Sequence, residues 1–166
     1  MTSKSEVIVL IGPMGVGKTT VGRKLAKALK VAFVDSDSIV VQQHGPIPAI
    51  FKDLGEPIFR EFEEAAVKTA IAAPGVVATG GGAVMSPKTQ AALKQTTVVY
   101  LSTNGKHIGS RLRGGTRPLV KNGVADWKRI YDERKPVYEA TADYIIDTSD
   151  QSLSATVAEI RKRLNI

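Results

Sequence analysis

The stretch "GPMGVGKTT", Gly12 to Thr20, constrains this chain more than any other. It fits the pattern G-x-x-x-x-G-K-[ST]. Glycines in such a loop let backbone N–H groups turn inward around phosphate oxygens, and the following helix offers the positive end of its dipole to the same anion. The pattern works only between a buried strand and a helix, and the flanks supply both. "EVIVLIG" reads as a buried strand, while Val21, Leu25, Ala28 and Leu29 recur at helical spacing from about Lys18 to Lys30. The expected nucleotide-binding set is Gly12, Met14, Gly15, Val16, Gly17, Lys18, Thr19 and Thr20. Lys18 is suited to reach the β- and γ-phosphates of a nucleoside triphosphate, and the Thr19 hydroxyl to enter a magnesium shell.

The rest of the chain alternates in the same way. "VAFVD", "GVVAT", "TTVVYLS" and "DYIID" read as four more short strands. Between them lie a helical region broken near Pro46 and Gly55 and running to about Ala73, a helix opened by Pro87, and helical segments flanking Gly114–Gly115. A final helix is expected from about Ser152 to Leu164, with Ser152 as its cap. Apolar strands alternating with helices predict an α/β fold: a five-stranded parallel sheet covered by helices on both faces, with the strand-to-helix loops at one edge. A length of 166 residues suits one domain over 1–166.

Composition narrows the function. There is no cysteine, which excludes disulfides, thiol catalysis and zinc–thiolate sites. His44 and His107 have no partner at ligand spacing. Apolar runs such as Val7 to Ile11 are too short to span a bilayer, and the N-terminus lacks a secretory pattern, so a cytoplasmic protein without membrane attachment is expected. The formal charge of +7 is concentrated. Val7 to Val34 and Lys106 to Ala125 each hold five basic residues and no acid, which implies an anionic partner or a basic solvated surface. Aromatic residues make up only 5% of the chain and do not interleave with the basic ones, so a phosphorylated small molecule is expected rather than nucleic acid.

Several further groups point to a second substrate. Asp35 and Asp37 flank Ser36 after a strand. In an extended segment that spacing sends both carboxylates to one side, one near magnesium and one facing an acceptor hydroxyl; the alternative is helix capping by Asp37 or Ser38. Arg60 shares a helix face with Glu63 and Glu64, a pattern that also suits a solvated ion-pair surface. Arg134 precedes Lys135 and Pro136, which places it near a helix end. "GVVATGGGAV" carries Gly80, Gly81 and Gly82 where a phosphate-loop protein often has an aspartate.

Taken together, "GPMGVGKT", "DSD", "FREFEE", "TGGG", "RPL" and "ERKPVYEATADY" resemble the shikimate kinase family in order and spacing, over nearly the whole chain. The resemblance implies a monomeric enzyme of aromatic amino acid biosynthesis, using ATP and Mg²⁺. It would transfer the γ-phosphate to the 3-hydroxyl of shikimate, a small cyclic acid with three hydroxyls. It implies that Asp37 hydrogen-bonds ring hydroxyls, as a base or a positioner, and that Arg60 and Arg134 hold the carboxylate. Glu63 would orient Arg60, and Gly80, Gly81 and Gly82 would pass close to the ring, with Gly81 the foremost backbone donor. Asp35 would act on magnesium together with Thr19. The substrate-binding region would span about 35–64 and a mobile lid about 111–124. Arg117 would be the lid arginine that meets the transferring phosphoryl group, with Arg111 or Arg113 against the adenine. The lid reads a residue or two short, and "DTSDQS" departs from the basic adenine-side turn of some members. A gluconate or nucleoside monophosphate kinase on the same scaffold is the nearest alternative.

Overall fold

The computed structural model describes residues 6–112 and 123–166, with side chains for all of these except Arg111 and Leu112. Strand β1 is Val7–Ile11, and α1 follows at Lys18–Leu29. Then come β2 (Phe33–Asp35), α2 (Ser36–His44), α3 (Ile47–Leu54), α4 (Glu56–Ala70) and β3 (Gly75–Ala78). A short 3-10 turn, Ala83–Met85, leads into α5 (Pro87–Leu93) and β4 (Thr97–Ser102). The described chain closes with α6 (Ile108–Leu112), α7 (Val124–Thr141), β5 (Tyr144–Asp147) and α8 (Leu153–Leu164).

All pairings in the five-stranded sheet are parallel, in the order β2-β3-β1-β4-β5. The period-two rule sorts its side chains onto two faces. Val7, Val9 and Ile11 join Val77, Val98 and Tyr100 on one face, packed against α4, α5 and α7. Leu10 joins Val76, Val99, Leu101 and Ile146 on the other, against α1 and α8. With both faces apolar, the sheet must be covered twice, as the strand composition predicts. A satellite cluster of Val40, Ile50, Phe59 and Ala66 ties α2, α3 and α4 together beside β2.

The α/β class, the five strands and the Ser152 cap agree with expectation; Ser152 accepts the Ala155 N–H at 3.0 Å. Three details differ. Strand β2 starts at Phe33 because Lys30 exits α1 at φ 58° and the Val31 N–H still caps that helix through Ala26. Asp37 is not extended: it sits in the first turn of α2, and Asp35 is the cap, accepting the Asp37 N–H at 2.9 Å. Helix α7 does not end near Arg134 but runs through Pro136 to Thr141. The carbonyl that Pro136 cannot serve belongs to Asp132, and both residues are exposed, on the solvent side of the helix. Arg113, Arg117 and the Gly114–Gly115 hinge lie outside the described residues, as does the Arg111 side chain.

Candidate active site

The loops after β1, β2 and β3 meet α4 and α7 around a cleft of about 540 Å³. At one end the phosphate loop turns on Gly12, Gly15 and Gly17, at φ 146°, 79° and 102°. A side chain at Gly12 would bring its Cβ within 2.6 Å of the Leu101 carbonyl oxygen, so strand β4 leaves that residue no alternative. Lys18 is buried, and its ammonium donates to the carbonyls of Gly12 (2.6 Å) and Pro13 (2.8 Å). Met14, Gly15, Gly17, Lys18, Thr19 and Thr20 line the cleft. Gly12 and Val16 do not; the Val16 side chain packs into the core against α1, and its N–H donates to Pro13.

The Thr19 hydroxyl donates to one oxygen of Asp35 at 2.8 Å while the other oxygen caps α2. A strand end, a helix start and the phosphate loop are thus joined through one carboxylate. Among the described residues no group of three or more His, Cys, Asp or Glu could hold a metal. Thr19 and Asp35 are nonetheless hard oxygen donors beside the phosphate loop. That fits Mg²⁺, which takes one or two protein ligands and completes its shell from water and substrate phosphates.

Asp37, Arg60, Glu63, Gly80, Gly81, Gly82 and Arg134 all line the same cleft, although they come from four elements. The Oδ1 of Asp37 is buried without a hydrogen-bond partner among the described residues. Burial, then the charges of Asp35 and Glu63, push this carboxyl up to about 6, against the opposing pull of Lys18 and Arg60. An orphaned acceptor in a polar cleft is a place for a ligand hydroxyl. Arg60 donates to Glu63 at 2.8 Å and its guanidinium lies 5.2 Å from the Phe59 ring centroid. Glu63 is only 3% exposed, so this pair is not a solvated surface pair. Burial raises the Glu63 carboxyl above its ordinary value, and the adjoining Arg60 charge opposes the shift. Arg134 is buried beside the triplet, its Nη1 3.4 Å from where a Cβ on Gly81 would stand.

The glycine triplet explains itself at this point. A Cβ on Gly82 would lie 2.5 Å from Arg60 Nη1, and one on Gly80 2.8 Å from Glu63 Oε2 and 2.9 Å from Asp37 Oδ1. The glycines make room for the site's own charged side chains as well as exposing backbone. Among the described residues none of the amides of Gly80, Gly81 and Gly82 donates a hydrogen bond.

Sequence reasoning missed several residues. Ile47, Phe51 and Phe59 form an apolar wall, and Leu153 closes the cleft near the phosphate loop. On α7 the Trp127 indole N–H donates to the Met14 carbonyl at 2.7 Å, and the Tyr138 hydroxyl donates to the Gly81 carbonyl. Tyr138 is pushed up to about 12, chiefly by burial, so it keeps its proton. The available signal was the spacing of Trp127, Tyr131, Arg134 and Tyr138, which puts all four on one helix face.

Fold and cleft define a class: a phosphate-loop phosphotransferase for a small-molecule acceptor, with a cleft lined by arginines, carboxylates and bare backbone. The shikimate kinase family model matches residues 14–165. The chain is 41% identical over 163 residues to the shikimate kinase of Pseudomonas entomophila, covering 95% of both, and 43% identical to that of Saccharopolyspora erythraea, covering 96% and 94%. Its fold superposes with a TM-score of 0.90 on shikimate kinase from Acinetobacter baumannii in complex with shikimate, at 36% identity and covering 96% of this chain and 93% of that one. The chain belongs to the shikimate kinase family.

Proposed function

We propose that this cleft transfers the γ-phosphate of ATP to the 3-hydroxyl of shikimate, giving shikimate 3-phosphate and ADP. The phosphate loop and α1 hold the triphosphate, with Lys18 on its β- and γ-oxygens. Mg²⁺, held by Thr19 and through water by Asp35, would neutralise phosphate charge. Arg60 and Arg134 present planar guanidinium forks to the carboxylate, a geometry an ammonium cannot copy. Glu63 keeps Arg60 in place, and the triplet amides meet the ring hydroxyls. Asp37 accepts the hydrogen bond of the attacking hydroxyl and takes its proton as the oxygen–phosphorus bond forms. Arg117 would close over the phosphoryl group from the lid, supplying charge stabilisation and excluding water.

The observation that carries this reading is the unpartnered Oδ1 of Asp37, set between Lys18 and the Arg60–Glu63 pair. A buried acceptor without a partner, close to Lys18 of the phosphate loop, supports a role in receiving the acceptor hydroxyl. No helix among the described residues is long and apolar enough to cross a membrane; that the enzyme is cytoplasmic and monomeric is part of the same proposal. The test is ADP release from MgATP with and without shikimate, with gluconate and AMP as control acceptors. Stimulation by shikimate alone is expected. A folded, ATP-binding sample that ignores shikimate would overturn the assignment.

A further inference from the structure

Three consecutive glycines form the least self-supporting stretch of this cleft, because nothing in their side chains restricts φ and ψ. Their carbonyls are held in two different ways. Gly80 accepts the Ala83 N–H and Gly82 accepts the Met85 N–H, both at 3.1 Å, as part of the 3-10 turn that follows. The middle carbonyl, that of Gly81, accepts instead from the Tyr138 hydroxyl on α7. Tyr138 does not line the cleft; its ring is buried against Tyr100, with centroids 5.1 Å apart. In a trans peptide the Gly82 N–H points opposite to the Gly81 carbonyl. Holding the carbonyl toward α7 therefore turns the Gly82 N–H the other way, away from Tyr138.

We propose that Tyr138 is a positioning residue for the acceptor, fixing the Gly81–Gly82 peptide so that its N–H meets a hydroxyl of the bound ring. This rests on the shikimate kinase reading of the cleft. Arg134 lies one helical turn before Tyr138 and its guanidinium faces the Tyr138 hydroxyl, so one rigid helix would set both the carboxylate anchor and the backbone donor, and the triplet amides rather than KM alone tell the two routes apart. Trp127 supplies the internal contrast. It sits on the same face of α7, but its indole holds the Met14 carbonyl of the phosphate loop. A helix acting only as scaffold would pass damage from either residue to both substrates. Positioning through separate loops predicts separate damage.

The experiment compares Tyr138→Phe and Trp127→Phe with the unsubstituted enzyme, titrating shikimate and MgATP in turn. Tyr138→Phe removes one hydroxyl and keeps the ring. It should raise the KM for shikimate about threefold to tenfold, the range expected for losing one hydrogen bond, with the KM for MgATP within twofold. Trp127→Phe should show the reverse split. In ¹⁵N-labelled protein, the amide signals of Gly80, Gly81 and Gly82 should shift or broaden more in Tyr138→Phe than in Trp127→Phe, although Met14 also lies beside Gly81. That readout needs no turnover, so it separates this inference from the function reading, which the acceptor panel on the unsubstituted enzyme tests. Equal rises in both KM values, unchanged kinetics, or unmoved triplet amides in Tyr138→Phe would each overturn the proposal. A Tyr138→Phe protein that fails to fold would do so too, by showing the hydroxyl to be structural.

Discussion

Gly82→Ala should separate stability from acceptor binding. Gly82 sits at φ −101°, ψ 1°, a conformation open to alanine, so the backbone itself resists nothing. The new methyl would lie 2.5, 2.7 and 2.8 Å from Nη1, Nη2 and Cζ of Arg60, where contact normally needs about 3.5 Å or more. The guanidinium must therefore move by about 1 Å. It can do so, because the Arg60 side chain is 24% exposed and can swing outward, but it then leaves Glu63, now 2.8 Å away. Charge-assisted hydrogen bonds are worth about 1.5–3 kcal/mol each, and a displacement of about 1 Å at a positioning group can cost about 10²-fold. The KM for shikimate should rise about 10- to 100-fold while that for MgATP holds. Replacing glycine where alanine fits also restricts the unfolded chain, by about 0.4–1 kcal/mol, so the melting temperature should stay within a few degrees. Steady-state kinetics in both substrates with a thermal melt decides the matter. The double variant Arg60→Ala/Gly82→Ala should be no worse than Arg60→Ala alone, since both act through one guanidinium. An unchanged shikimate KM, or fully additive effects, would refute Arg60 as an anchor constrained by Gly82.

The other expectations concern single groups. Lys18→Ala should abolish turnover and leave the near-UV circular dichroism spectrum intact; retained activity would remove the phosphate-loop assignment. Arg134→Lys should raise the shikimate KM more than it lowers kcat, because a point charge replaces a planar fork; wild-type KM would place the carboxylate elsewhere. With the Asp37 carboxyl raised from 3.8 to about 6, kcat/KM should fall as pH drops through about 6 if the ionised form accepts the proton. The same shift has a stability consequence. The folded state holds the proton more tightly than the unfolded chain, so the benefit is full below about 4 and is lost as pH rises through about 6. Asp37→Asn should therefore stabilise at pH 7.5, by at most roughly 2–3 kcal/mol, and much less at pH 4. Melts that show the reverse order would contradict the burial that sets this pKa.

Most of the fold was legible because its determinants are local. Apolar runs of four to six residues punctuated by glycine and proline can hardly be anything but buried strands, and the phosphate-loop pattern fixes the first strand-to-helix junction. The site was legible only in part. Glu63 looks in sequence like one acid among several on a charged helix, and nothing local says that it is buried against Arg60. Phe51 and Phe59 have helical core spacing, so their second role as a cleft wall depends on how α3 and α4 meet β2. Pro136 signalled a helix end because its cost is normally high, yet Pro136 and Asp132, four residues earlier, both lie on the exposed side of α7, where that cost is smaller. The contacts of Trp127 and Tyr138 span 113 and 57 residues of sequence, beyond any periodicity argument. Arg111, Arg113 and Arg117 carry the lid reading on sequence alone.

The absent aspartate at the end of β3 follows from the neighbours of that position. Thr79 stands there, and its hydroxyl and amide both bond the Leu10 carbonyl of β1, at 3.2 Å each. The carboxylate beside Thr19 comes instead from β2, whose Asp35 is in register with Ala78, one residue before Thr79. A further acid at position 79 would face a cleft already holding Asp35, Asp37 and Glu63, in which Asp37 is raised to about 6. Another negative charge would push Asp37 higher and keep it protonated at neutral pH, when an acceptor of the hydroxyl proton is wanted. Moving the carboxylate one strand outward puts it beside the phosphate loop and leaves the end of β3 to backbone, which under the proposed function meets the acceptor without adding charge.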